Sequence, residues 1–253
     1  MFIGLQCLNR FPRLGQPVQR WQRQSCRTFS DTRAAQTLEK SEPSLSDQVR
    51  LLMRRVPYPV AIVTATDPHI GNSDSNSAVE KAFRGMTVSS FSTVTLNPDP
   101  VISFNVKRPS ETLTALQSSG RFLVHLLAPT QGPAALARDF SKGNHNLSIV
   151  SGEGNFEFAS HYSSNNGDGG NSRLLPLPLL RRRNTQEHVD FPFVFECKLH
   201  PHQMEVYDHT IVLGHIVRTI IQRPLNNGNK AGSGKDLCLT YADTRFWEMG
   251  HEI

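Results

Sequence analysis

The chain has 253 residues, 38% of them hydrophobic and 19% charged, with a formal net charge of +5. That length supports one sizeable core and is short for two, and no apolar run approaches the roughly 20 residues of a bilayer-crossing helix, so no membrane span is expected. The charge excess is local: Arg10, Arg13, Arg20, Arg23 and Arg27 precede the first acid, and without those five the 27 basic residues fall to 22, equal to the 22 acidic ones. A neutral body argues against a sequence-independent phosphate surface, and no nucleic-acid partner is expected.

Residues 1–30 intersperse those arginines with Phe2, Ile3, Leu5, Leu8, Phe11, Leu14 and Trp21 and contain no lysine. This is the composition of a mitochondrial transit peptide, so import to the matrix with processing near residues 26–30 is expected. A disordered basic tail has the same composition, whereas the uninterrupted apolar core of a secretory signal is missing. Residues 31–43 read as a polar linker and 44–253 as the domain. Its first element places Leu45, Val49, Leu52, Met53 and Val56 at helical spacing between Ser44 and Pro57, which predicts a helix over about 45–55.

Strand signals follow at 59–66, 101–106, 121–127, 191–199, 209–222 and 237–241, each rich in β-branched or aromatic residues and bounded by Pro, Gly or Asn. A hydroxyl-rich segment near residue 90 brings the total to about seven. Two more short helices are expected, one capped by Ser110 and ending near Gly120, the other capped by Thr130 with Pro133 in its first turn. Many short strands with few helices predict a mainly β fold, a barrel with attached helices rather than an alternating α/β sheet. The Gly/Asn/Ser-rich segments 71–77, 161–173 and 226–236 read as surface loops.

Several chemistries lack their residues. Cys7 and Cys26 fall in the leader, and Cys197 and Cys238 lie far apart without a CxxC, so neither a disulfide framework nor a zinc site is indicated. His200 and His202 form an HxH in a strand-like run and read as surface side chains; no metal is expected. The sequence around Gly234 and Lys235 suggests a phosphate loop at a glance, but Asn229 and Asp236 stand where that loop needs glycine and a hydroxyl. No GxGxxG opens a helix after a strand, so a Rossmann domain is not supported.

The stretch GMTVSSFSTVTLNPDP, residues 85–100, carries six hydroxyls between Thr87 and Thr95. As one extended strand it would put Thr87, Ser89, Phe91, Thr93 and Thr95 on one face and Val88, Ser90, Ser92 and Val94 on the other. An exposed edge strand accounts for such a pattern without a ligand. Downstream, Asn105-Val106-Lys107-Arg108-Pro109-Ser110-Glu111-Thr112 ends a strand, presents two cations and opens a helix. First-turn N–H groups beside the hydroxyls of Ser110 and Thr112 suit a phosphate, although solvated charges before a capped helix are also common.

The run RGMTVSSFSTVTLNPDPVISFNVKRPSET resembles the signature region of the flavin reductase-like family, the FMN-binding split barrels. There a Gly-x-Thr-x-x-Ser-Phe-x-Ser/Thr-Val-x-Leu-x-Pro-Pro segment precedes a strand and a Lys-x-Ser-x-Thr turn. PYPVAIVTA, GRFLVHLLAPTQGPAALARDFSKG, FVFECKL, YDHTIVLGHI and LCLTYADTRFWEMG extend the similarity over about residues 50–248, in the family's order. Asn97-Pro98-Asp99-Pro100 separates the family's paired prolines, and Tyr207 stands where the family has glycine before Asp208 and His209.

The resemblance implies a split β-barrel of the Greek-key, FMN-binding type with a few short peripheral helices. It implies that Thr87, Val88, Ser89, Ser90, Phe91 and Thr93 line the flavin, that Asn105, Val106 and Lys107 border the ring, and that Lys107, Ser110 and Thr112 hold the phosphate. Hydride transfer from NADH or NADPH to FMN, or to FAD, would follow. His209 would be the catalytic group touching flavin or nicotinamide, though an ordinary strand-edge histidine fits as well. A homodimer with the flavin near the subunit boundary is the family's common assembly. The competing function is an FMN-binding split barrel without rapid reductase activity, serving as a partner-regulated or interaction module.

Overall fold

The strands of this chain build one curled antiparallel sheet, with a smaller sheet and a separate hairpin packed around it. The computed structural model describes residues 42–70, 80–144, 149, 152–163, 175–183, 190–222 and 238–250. The candidate leader 1–30, the linker to residue 41 and the polar segments 71–77, 164–173 and 226–236 lie outside the described residues. Pro43–Ile253 form one unit.

In chain order the elements are α1 (Leu45–Met53), β1 (Tyr58–Pro59), β2 (Ala61–Thr66), β3 (Phe83–Val88), β4 (Ser92–Thr95), β5 (Val101–Lys107), α2 (Glu111–Ser119) and β6 (Arg121–Leu126). There follow α3 (Gln131–Phe140), β7 (Phe156–His161), β8 (Leu177–Arg182), β9 (Phe193–Leu199), β10 (Met204–Val206), β11 (His209–Gln222), β12 (Thr240–Ala242) and β13 (Arg245–Trp247). The main sheet runs β3-β2-β6-β9-β11-β5-β4, with β10 added to β11; β1-β12-β13 and β7-β8 form separate sheets.

The sheet curls for a topological reason. β3 and β4 lie at opposite ends of its strand order, yet only residues 89–91 separate them in the chain. The two edges must therefore approach each other, which closes the sheet into a split barrel. Strand alternation then sorts the apolar residues. Ala61, Val63, Phe104, Phe122, Val124 and Val212 fill the barrel interior. Ile62, Leu123, Phe140, Leu177, Leu180 and Val194 form a second core on the outer face, beneath α3 and the β7-β8 hairpin. β2 is buried along its whole length because both of its faces are covered. Gly214 is required inside the barrel: a Cβ there would collide with the Phe122 ring.

Polar side chains fasten the outer hairpin. Thr64 Oγ1 donates to the Pro178 carbonyl at 2.6 Å and Thr66 Oγ1 to that of Pro176. Fully buried His125 takes the Leu180 N–H on Nε2 at 3.1 Å, so its proton sits on Nδ1 and goes to the Ile62 carbonyl at 3.2 Å. Desolvation pushes this imidazole down to about 3, against the raising effect of the Ile62 bond. Glu196, 2% exposed, is held by Arg121 at 3.1 Å, Arg218 at 2.7 Å and His161 at 3.3 Å. Burial pushes the Glu196 carboxyl up, but hydrogen bonds from Arg218, Ser163, Arg121 and His161 outweigh it and hold the group at about 2.

The structure departs from the sequence reading at several elements. The run 59–66 is two strands, because Val60 breaks away to bond the Leu239 carbonyl at 2.9 Å and the halves join different sheets. The hydroxyl segment is also two strands, turning a corner at Ser89–Phe91, so the one-face alternation expected through Thr95 does not hold. α1 starts at its Ser44 cap but ends at Met53, and none of its residues is buried. Thr130 occupies the N-cap of α3 without a side-chain bond. β7, β8, β10 and β13 carry the strand count beyond seven. Prolines at 176 and 178 disguise β8, which among the described residues pairs with β7 alone.

Among the described residues no helix is long and apolar enough to cross a membrane.

Candidate functional site

The end of β3, the end of β5, the start of α2 and the turn after α3 enclose a cleft of about 440 Å³. Seven of the eleven candidate binding residues line it: Thr87, Val88, Asn105, Val106, Lys107, Ser110 and Thr112. The fold brings them together by curling the sheet, since β3 and β5 sit far apart in the strand order.

The remaining four are placed elsewhere. Ser90 lies in the corner, where its Oγ accepts the Asn105 N–H at 2.8 Å; it ties β5 to the corner without lining the cleft. Phe91 packs against the barrel core, Ser89 is half-buried in the corner and Thr93 is exposed on β4. His209 is also absent from the lining. It pairs directly with Lys107 across β11 and β5, so the two side chains leave the same face of the sheet.

Several of the hydroxyls inside the cleft are already engaged. Thr87 Oγ1 donates to the Ala137 carbonyl at 2.7 Å, which leaves its oxygen as an acceptor. Ser110 Oγ accepts the Leu113 N–H at 3.2 Å as the cap of α2 and stands 3.9 Å from Met86 Sδ. Thr112 is buried, and its Oγ1 accepts from Asn144 Nδ2 at 3.1 Å. The polarity of the run thus serves the fold as well as the cavity.

Asn144, Phe140 and Gly85 are among the lining residues that the sequence reading did not single out. Asn144 joins two walls, because its Oδ1 accepts the Gly85 N–H at 2.8 Å while its amide nitrogen holds Thr112. Phe140 closes the side against Gly85, where any Cβ would strike the ring. Gly85 was the available signal, since glycine inside a strand often marks a close approach. Asn144 gave none, as it follows the helix stop at Gly143 like any loop residue.

Charge is arranged unevenly around the cleft. Arg108 turns to the neighbouring hairpin, bonding Glu205 Oε2 at 2.7 Å and the Tyr207 carbonyl. Arg84 approaches Glu111 at 3.5 Å, which offsets the acid in the first turn of α2. Lys107 is 72% exposed at the cleft, with its Nζ 3.7 Å from Asp208 Oδ2. Asp208 Oδ1 lies 2.7 Å from His209 Nδ1, and this bond, with the charges of His209 and Lys107, holds the Asp208 carboxyl below its ordinary range.

The donor set fits a phosphorylated planar ring. Met86, Val88, Val106, Pro109 and Phe140 supply apolar walls, strand amides and hydroxyl oxygens supply directed polar groups, and Lys107 with the start of α2 supplies a cationic end. The volume lies within the roughly 300–1,000 Å³ of small-molecule sites. A larger cavity of about 720 Å³ beside β1 and β12 is lined by Pro57, Tyr58, Trp247 and Met249, with no cation among its described lining residues to receive a phosphate. Among the described residues no three His, Cys, Asp or Glu side chains are placed to hold a metal ion.

The curled sheet with a cleft at its meeting edges defines a split-barrel protein of the flavin reductase type. The flavin reductase like domain matches residues 53–249, and the chain belongs to that family. Solved structures share the fold. The flavin reductase HpaC, complexed with NADP+, is 20% identical with a TM-score of 0.52, over 81% of this chain and 98% of its own. The NADH:FAD oxidoreductase SgcE6 of Streptomyces globisporus C-1027 is 20% identical with a TM-score of 0.53, over 84% and 92%. The styrene monooxygenase flavin reductase SMOB of Pseudomonas putida S12 is 18% identical with a TM-score of 0.51, over 81% and 98%. At such identities the likeness is one of fold.

Proposed function

We propose that the protein is a flavin oxidoreductase that passes a hydride from NADH or NADPH to FMN, with FAD as the other flavin of matching chemistry. The observation that carries this reading is the shared cleft: the hydroxyl-bearing end of β3 and the Lys107–Ser110 start of α2 line one cavity. Family membership and the names of the similar structures, which include an NADH:FAD oxidoreductase and a flavin reductase complexed with NADP+, support it.

When bound, the flavin supplies the two-electron chemistry. The chain's own residues hold and orient. Lys107 and the first-turn amides of α2 receive the phosphate, and the Ser110 cap keeps those amides in place. Met86, Val88, Val106 and Phe140 exclude water from the ring's faces. The Thr87 oxygen and the Asn105 side chain offer polar contacts at its edge. Asp208 accepts the Nδ1 proton of His209, which leaves Nε2 to meet a second nucleotide.

The arginine-rich, acid-free leader supports delivery to the mitochondrial matrix. A homodimer is supported by the exposed apolar side chains Val94, Leu96, Met204 and Val206 on β4, β10 and their flanks. One observation favours the second reading, a flavin-binding barrel without rapid reductase activity: His209 stands outside the cleft lining.

Purified protein should carry or take up flavin with the corresponding visible spectrum, and added flavin should drive NADH or NADPH oxidation. Uptake without nicotinamide oxidation would select the second reading. A folded preparation that binds neither FMN nor FAD at micromolar levels would overturn both.

A further inference from the structure

The turn between β10 and β11 presents an aromatic ring that the fold itself does not use. Val206 pairs with His209, so Tyr207 and Asp208 form a two-residue hairpin loop. Tyr207 has φ of 49°, the left-handed region that L side chains seldom adopt, and the residue is 96% exposed. Glycine would take this conformation freely, and a short polar residue would tolerate it. A bulky ring held there in water brings the turn no packing.

The turn is nonetheless firmly placed. Arg108 donates its backbone N–H to the Asp208 carbonyl at 2.7 Å, and its guanidinium reaches the Tyr207 carbonyl and Glu205. Asp208 in turn contacts Lys107, which lines the cleft. Tyr207 is not itself among the residues lining the cavity, but its turn is braced directly beside Lys107, which is. Non-glycine residues held in the left-handed region cluster at active sites and ligand clamps.

We infer that Tyr207 is a stacking residue for the planar ring of the nucleotide that occupies this cleft, and so sets affinity through the ring rather than the phosphate. The inference rests on the proposed flavin site. The ring stacked upon is the isoalloxazine of the flavin or the nicotinamide nucleotide, which share a flat π-face.

The full chain is compared with Tyr207→Phe and Tyr207→Gly, by fluorescence titration with riboflavin, FMN and NADH, and by thermal unfolding and solution mass. The glycine variant should unfold at a higher temperature, because the left-handed residue no longer opposes folding. It should bind at least one of these ring systems about fivefold or more weakly. A flavin loss should be equal for FMN and riboflavin, and the phenylalanine variant should retain wild-type affinity. Loss confined to NADH assigns the ring to the nicotinamide nucleotide. Unchanged affinity for all three in the glycine variant overturns the inference alone, as does equal loss in the phenylalanine variant. So does a change of solution mass with ring affinities intact, which would make Tyr207 a subunit contact. Wild-type protein that takes up no flavin overturns the site and this inference with it.

Discussion

Lys107→Ala should weaken FMN binding about tenfold and leave riboflavin binding unchanged. Two unit charges about 4 Å apart in water attract by about 1 kcal/mol, and a phosphate monoester carries between about 1.5 and 2 negative charges at neutral pH. With Lys107 72% exposed, the aqueous value applies, and the pair is worth somewhat under about 2 kcal/mol, or tenfold to thirtyfold. Asp208 competes for the same amine from 3.7 Å, which places the outcome at the lower end. Asp208→Asn should accordingly tighten FMN. The assay is quenching of flavin fluorescence at low and high salt, since an exposed pair is screened as ionic strength rises. Ser110 is a poorer probe, because it caps α2 and its removal would disturb the helix as well. Equal losses for riboflavin and FMN, or an FMN loss indifferent to salt, would refute the assignment.

Gly85→Ala should destabilise the fold by about 1–3 kcal/mol, because the new methyl must displace the Phe140 ring, and it should weaken FMN and riboflavin alike; thermal unfolding and titration measure both. Glu196→Gln should cost about 3 kcal/mol in urea unfolding by leaving Arg121 and Arg218 without their carboxylate; an unshifted midpoint would contradict that role. His125, whose folded value of about 3 lies below the ordinary 6.5, contributes stability that is complete above pH 6.5 and is lost as the pH falls toward 3. The slope should approach about 1.4 kcal/mol per pH unit between those limits, and His125→Gln should flatten it above pH 4.5. Glu196 adds a second loss, between its ordinary 4.5 and about 2, as protonation dissolves its ion pairs.

Where local pattern and tertiary role agree, the sequence was legible. Ser110 and Gly120 delimit α2 as their cap chemistry requires, and β5, β6, β9 and β11 follow from β-branched and aromatic runs. The hydroxyl segment misled because periodicity describes an element only while it stays straight, and a corner at Ser89–Phe91 reassigns every residue beyond it. The cleft was half legible. Lys107 and Ser110 sit beside each other in the chain, so their chemistry could be read there, whereas Asn144 and Phe140 reach β3 only through the packing of α3. α1 carries a clear apolar stripe, Leu45, Val49 and Leu52, that nothing among the described residues covers. Amphipathic spacing shows that a face is apolar, not what meets it.

β11 runs straight opposite β5 from His209 to His215, but its pairing with β9 slips between Ile216 and Arg218 and again between Thr219 and Ile221. Irregularity is thus confined to the half of the strand remote from Lys107. A residue gained or lost in that half can be absorbed as a ripple in the ladder. The same change between His209 and His215 would carry every side chain facing β5 to the opposite surface. One strand therefore contains both a stretch that tolerates drift in length and a stretch that fixes the position of the cleft.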